Sequence, residues 1–282
     1  MTDAPAPYGS TPLATGPSGK RVRIPQLRQW KREGHKWAML TSYDQLTATI
    51  FEDAGIPVLL VGDSASNNIF GNDTTLPVTV DELLPLVRAV SRATWRPIVI
   101  ADLPFGSYQE SPEQCFRTAA RFMKEAGAHA VKIEGGLEVV PQVEKLAANG
   151  IPVMAHIGFT PQAEHQLGGY RIQGRGPDAD RLMAEAKALE RAGAFGILIE
   201  MIPGELATAI TASVDIPTVG IGAGVGCDAQ VLVWQDMAGL RSGNLPRFVK
   251  QYADMRTTLH GAATDFAAEV SASEFPGPAH TF

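Results

Sequence analysis

Eight short apolar runs, most of them breaking off at a polar residue, constrain this chain more than any other feature. They begin at Trp37 (WAMLTSY), Pro57 (PVLLVGD), Pro97 (PIVIAD), Ala130 (AVKIEG), Pro152 (PVMAHIG), Gly196 (GILIEM), Pro217 (PTVGIGAG) and Gln230 (QVLVWQD). Their apolar stretches are continuous rather than alternating, which is the pattern of strands buried on both faces of a parallel sheet. Helix signals lie between them. TVDELLPLVRAVSRAT opens on Thr79 with Glu82 three residues later, a capping box. SPEQCFRTAARFMKEAG has Ser111 as cap, Pro112 in the first turn and Gly127 as the stop. GPDADRLMAEAKALERAG ends on Gly193 in the same way. AGIP, AGAH, ANGIP and AGAFG read as one recurring joint from helix end to strand. The reading is an α/β chain forming a single (β/α)8 TIM barrel. An open dinucleotide-binding sheet fits less well, because no G-x-G-x-x-G follows the first strand.

The barrel is assigned to residues 21–282. Residues 1–20 (MTDAPAPYGSTPLATGPSGK) are too rich in Pro, Gly, Ser and Thr to bury much surface, and read as a flexible tail. The formal charge of −6 and pI near 5.5 argue against a nucleic-acid or anionic-membrane partner. No apolar run approaches a membrane span, and no charged-then-apolar leader is present, so a cytoplasmic location is expected. Cys115 and Cys227 are far apart, follow no ligand spacing, and read as reduced thiols.

The ends of the runs carry the chemistry. They supply Thr41, Ser42 and Asp44, then Asp63 and Ser64, Asp102, Lys132 and Glu134, His156, and Glu200. In a barrel these ends converge on one face, where active sites are built. An Asp at a strand end also caps turns. Asp63 and Asp102 on adjacent strands, however, repel each other unless a cation lies between them. Lys132 and Glu134, two apart, share a face; they read either as an ion pair or as site groups. His156 reads as a core histidine or a pocket group, and Glu200 as a helix-start carboxylate or as a base held in an apolar setting. Gly220–Gly224 (GIGAG) permits either phosphate binding or close backbone approach. Hard oxygen donors without paired His or Cys suit Mg²⁺, with Mn²⁺ or Co²⁺ also fitting. Such an ion, chelated by a small α-keto acid, would favour enolate formation, with Lys132 balancing the acid's carboxylate.

The motifs MLTSYDQLTA, LLVGDSASN, TLPVTVDEL, IADLPFGSY, AVKIEGG, VMAHIGFTPQ, GGYRIQGRG and PTVGIGAG, in this order, resemble those of the ketopantoate hydroxymethyltransferase family. The resemblance covers nearly everything after the tail. It implies a barrel of the phosphoenolpyruvate mutase/isocitrate lyase superfamily. It also implies transfer of a one-carbon unit from 5,10-methylenetetrahydrofolate to 3-methyl-2-oxobutanoate, giving 2-dehydropantoate and tetrahydrofolate on the route to pantothenate and coenzyme A. By the same resemblance Asp63, Asp102 and Glu134 are the metal-site carboxylates. Asp63, Ser64, Asp102, Lys132 and His156 contact the keto acid, and Glu200 accepts the C3 proton. Self-association, often as a homodecamer, is implied too. The chain departs from the family at Ala229, at Ala163 after Gln162 and at its C-terminal PGPAHTF, none of them a metal or base position. Lyases of the same superfamily carry a catalytic Cys in a KKCGH-like loop, a context neither cysteine here has.

Overall fold

The computed structural model describes residues 20–282. The expected tail falls on residues 1–19, outside the described residues, apart from Lys20. Eight strands form a closed barrel: β1 (Trp37–Thr41), β2 (Val58–Val61), β3 (Ile98–Asp102), β4 (Ala130–Glu134), β5 (Val153–Gly158), β6 (Gly196–Glu200), β7 (Thr218–Ile221) and β8 (Ala229–Leu232). All neighbours are parallel, and β8 closes on β1 with Trp37 opposite Ala229. The first seven apolar runs contain their strands; the eighth starts one residue late, since β8 begins at Ala229.

The helices are α1 (Ile24–Glu33), α2 (Gln45–Asp53), α3 (Val80–Ala93), α4 (Pro112–Ala126), α5 (Val140–Ala148), α6 (Asp178–Arg191), α7 (Gly204–Ser213) and α8 (Met255–Ser271). Thr79 and Glu82 form the expected capping box on α3, and Ser111 caps α4, which stops at left-handed Gly127. α6 ends one residue earlier than expected, with Ala192 as its cap.

The alternation fails once. No helix joins β7 to β8; residues 222–228 make the connection as a loop. This loop presses so closely on α7 that a Cβ on Gly226 would lie 2.0 Å from Thr208 Oγ1. Its last residue, Asp228, accepts hydrogen bonds from Thr218 N at 2.9 Å and from Lys31 Nζ of α1 at 2.9 Å.

Alternate residues of each strand divide between two apolar layers. Met39, Val58, Leu60, Ile98, Ile100, Ala130, Met154, Leu198, Val219 and Val231 fill the barrel together with fully buried Leu27 of α1, which plugs its N-terminal end. Leu59, Val61, Val99, Ala101, Val131, Ile133, Val153, Ala155, Ile197 and Ile199 pack outward against the helices. The inward phase continues past the apolar plug to Thr41, Asp102, Lys132, Glu134, His156 and Glu200. Parallel strands carry these residues to the same end of the barrel.

Candidate active site

Asp63, Ser64, Asp102, Lys132, Glu134, His156 and Glu200 all line one cavity of about 1160 Å³ at the C-terminal end of the barrel. Thr41 lines it too, although its hydroxyl is engaged by Trp234 N at 3.0 Å. Ser42 is buried outside the cavity wall. Asp44 has the plain structural role: it caps α2, accepting from Thr47 N at 2.9 Å and Thr47 Oγ1 at 2.7 Å.

The cluster is built on β3 and β4. Asp102 stands opposite Lys132 across the ladder. Lys132 Nζ donates to both Asp102 oxygens at 2.8 Å and to Glu134 Oε1 at 3.3 Å. Asp63, just past β2, turns its backbone N–H onto Asp102 Oδ2 at 3.1 Å. Asp63, Asp102 and Glu134 are buried, and each offers an oxygen within 4.8 Å of the other two. Gly62 keeps this turn tight: a Cβ there would lie 2.7 Å from Ser64 Oγ. Ser64 in turn is held by the buried Tyr43 hydroxyl at 2.8 Å.

His156, opposite Glu134 in the ladder, bridges to the far wall. Its Nδ1 lies 3.3 Å from Glu134 Oε1 and its Nε2 3.3 Å from Glu200 Oε2, with neither nitrogen aligned for a hydrogen bond. The apolar surroundings expected for Glu200 are therefore corrected, since its carboxylate faces an imidazole. Two backbone features fix Glu200. Gly158 (φ +96) lets β5 approach so closely that a Cβ would come 2.2 Å from the Glu200 carbonyl oxygen. The next residue, Met201, is non-glycine yet left-handed at φ +49, strain of about 1–3 kcal/mol held by the surrounding structure.

Opposing effects set the electrostatics. Burial and the charges of Asp102 and Glu134 hold the Asp63 carboxyl well above the usual range, against the pull of Lys132. Burial also raises Asp102, opposed by Lys132. Burial works against ionised Glu134, but Lys132 and His156 outweigh it and bring Glu134 down to about 2. Burial and Lys132 push His156 down, yet Glu134 and Glu200 prevail and raise it to about 9. Lys132 is buried too, but its three carboxylate neighbours keep it charged, with its pKa raised.

Three buried carboxylates converge their hard oxygens on one point; burial and the repulsion among them raise Asp63, and a cation there would relieve that repulsion. The donor set fits a divalent cation with oxygen preference. Cys115 and Cys227 are buried away from the cavity, and burial pushes the Cys115 thiol up to about 12.

Gln162 and Tyr108 were not picked out as site residues from the sequence. Gln162 touches Asp63, Glu134 and Leu103, and Tyr108 lies behind it. Both sit inside quoted motifs, but an uncharged loop residue gives no periodic or charge signal. Arg241, Asn244, Arg247 and Phe248, from the stretch after β8, line the outer cavity together with Tyr170. Gly222 and Gly224 also line it; Gly224 (φ +75) passes α7 so closely that a Cβ would lie 3.0 Å from Gly204 Cα, which supports the close-approach reading of this loop.

Barrel and site together define a barrel enzyme: a parallel eight-stranded barrel with buried carboxylates at its C-terminal mouth. Solved structures agree on the fold. Phosphonopyruvate hydrolase, in complex with oxalate and Mg²⁺, superposes with a TM-score of 0.60 at 15% identity, covering 91% of this chain and 92% of its own. 2,3-Dimethylmalate lyase, itself a member of the phosphoenolpyruvate mutase/isocitrate lyase superfamily, gives 0.54 at 18% identity, covering 88% and 98%. The sequence comparison is narrower. Residues 21–278 match the family model described as ketopantoate hydroxymethyltransferase, and the chain belongs to that family. A protein from Nocardioides sp. named 3-methyl-2-oxobutanoate hydroxymethyltransferase is 64% identical over 284 residues, covering 98% of this chain and 96% of its own. One of the same name from Saccharopolyspora erythraea is 60% identical over 277 residues, covering 98% and 93%.

Proposed function

We propose that the chain transfers a hydroxymethyl unit from 5,10-methylenetetrahydrofolate to 3-methyl-2-oxobutanoate, giving 2-dehydropantoate and tetrahydrofolate for pantothenate and coenzyme A synthesis in the cytoplasm. One observation carries this reading: a buried triad of Asp63, Asp102 and Glu134 shares a cavity with a carboxylate, Glu200, held apart from the triad by His156. Family membership selects the substrates.

Asp63 and Asp102 would hold Mg²⁺, with Glu134 as the third carboxylate, directly or through water. Bound there, the ion would supply Lewis acidity toward the keto acid's chelating oxygens. Lys132, pinned by Asp102, sets a positive charge where the substrate carboxylate enters, and Ser64 offers a hydroxyl beside it. Glu200 takes the C3 proton, leaving the C–H electron pair in the C2–C3 bond of the enolate. That carbon bonds to the methylene carbon of the opened folate iminium; water then displaces the folate nitrogen from that carbon, so that the C–N bond breaks with its electron pair and a proton going to tetrahydrofolate and the water oxygen stays as the hydroxyl. His156, with Nε2 3.3 Å from Glu200 Oε2, orients the carboxylate that takes the proton.

The partners are small molecules and further copies of this chain, as a homodecamer. Among the described residues no helix is long and apolar enough to cross a membrane. The acidic balance argues against nucleic acid. The lyase alternative is disfavoured because neither thiol reaches the cavity.

Exchange of the C3 proton of 3-methyl-2-oxobutanoate into heavy water tests metal, substrate and base together. The parent protein should exchange it only with Mg²⁺. Glu200→Gln should lose exchange by about 10²-fold or more while binding the keto acid nearly normally. Exchange that is equally fast without Mg²⁺, or that survives in Glu200→Gln, overturns the mechanism.

A further inference from the structure

Gln162 occupies an unusual position for a neutral side chain. It is buried, and every polar atom of its amide is engaged. Its Nε2 donates to Asp63 Oδ2 at 2.9 Å and to the Leu103 carbonyl at 3.0 Å. Its Oε1 accepts from the Tyr108 hydroxyl at 2.8 Å and from Gln109 Nε2 at 3.1 Å. Its backbone N–H donates to Glu134 Oε2 at 2.9 Å. One residue thus holds one oxygen of Asp63 and one oxygen of Glu134. The third carboxylate, Asp102, is held by other groups: Lys132 on both oxygens and Asp63 N on Oδ2.

The denticity of these carboxylates follows from what holds them. A carboxylate that grips a cation through both oxygens must swing both toward it. With Oδ2 of Asp63 and Oε2 of Glu134 tied to Gln162, that rotation would break hydrogen bonds in a dry site, where a lost bond is costly. Single-oxygen ligation suits a small ion with strict octahedral demands. Large ions such as Ca²⁺ take six to eight oxygens and commonly use bidentate carboxylates. Outer groups of this kind orient ligands and tune affinity.

We infer that Gln162 is a positioning residue that restricts Asp63 and Glu134 to one metal-facing oxygen each, and so makes the cluster select Mg²⁺-sized ions over Ca²⁺. Tyr108 supports it by fixing the amide's orientation. The inference rests on the divalent-cation reading of the triad.

Calorimetric titration of the full chain with Mg²⁺ alone and with Ca²⁺ alone tests it, in the parent, in Gln162→Leu and in Tyr108→Phe. The parent should bind Mg²⁺ more tightly than Ca²⁺. Gln162→Leu, which frees Asp63 Oδ2 while the backbone bond to Glu134 remains, should move the ratio of the two affinities toward Ca²⁺ by about tenfold, the lower end of measured outer-shell effects. Tyr108→Phe, which removes a single oxygen, should move it the same way by less, and decides the matter if Gln162→Leu does not fold. A purely structural role would weaken both ions in parallel, so an unchanged ratio in the folded variants overturns the inference. A parent that binds neither ion overturns the divalent reading itself.

Discussion

At the level of single residues, the polar side chains that end the apolar runs were legible because each is out of character with the run before it. Asp63, Asp102, Lys132, Glu134, His156 and Glu200 interrupt Val-, Ile- and Leu-rich strands, where an unpaired charge is costly. Their assembly into one wall follows from parallel strands and shared phase. Lys132 shows what such a wall requires. Among the described residues it is the only ammonium lining the inner cluster, held by Asp102 and Glu134 with almost no exposure. Lys132→Met should leave the buried Asp102 without its counter-charge and cost about 3–5 kcal/mol. Urea unfolding in the presence of a chelator reads this loss. Mg²⁺ at a hundredfold excess over its Kd should restore about 2.7 kcal/mol. A variant as stable as the parent without metal would show that the triad does not need the ammonium. Asp44 teaches the opposite lesson: it follows the same kind of run and merely caps α2.

Among elements, strand positions were legible and strand orientation was not. A strand buried on both faces has no hydrophobic phase, so nothing in WAMLT or VLLV says which residues look inward. The helix starts at Thr79 and Ser111 could be read because capping is local chemistry. The missing helix between β7 and β8 could not, since that loop depends on contacts with α7 and α1 far away in sequence. α1 itself precedes the first strand and gave no hint of its role. Its Leu27 is completely buried in the barrel's inner cluster, below Met39 and Val58. Leu27→Ala should therefore cost about 2–5 kcal/mol, the range for a core truncation that leaves a cavity. A thermal or urea midpoint close to that of the parent would mean that α1 does not plug the barrel.

On the scale of the whole molecule, α8 stands apart. None of its residues is buried, and Leu259, Phe266 and Val270 are exposed although apolar. A helix of 17 residues with no buried face gains little from its own chain. This supports the proposed self-association, in which another copy would cover it. The chain of 30.1 kDa should sediment at several times its own mass. Leu259→Asp combined with Phe266→Asp should lower the sedimentation coefficient markedly. A monomeric parent, or a double variant with unaltered sedimentation, would remove α8 from the association surface.

The sequence by itself determined the barrel, the caps of its main helices and the polar residues at its strand ends, because periodicity, capping and burial of charge act over a few residues at a time. The tertiary structure alone decided that Gln162 and Tyr108 brace the carboxylates, that His156 stands between Glu134 and Glu200, and that a loop replaces one crossover helix. Each of these depends on groups brought together across the barrel, and no local pattern encodes a distance between residues that meet only when the sheet closes.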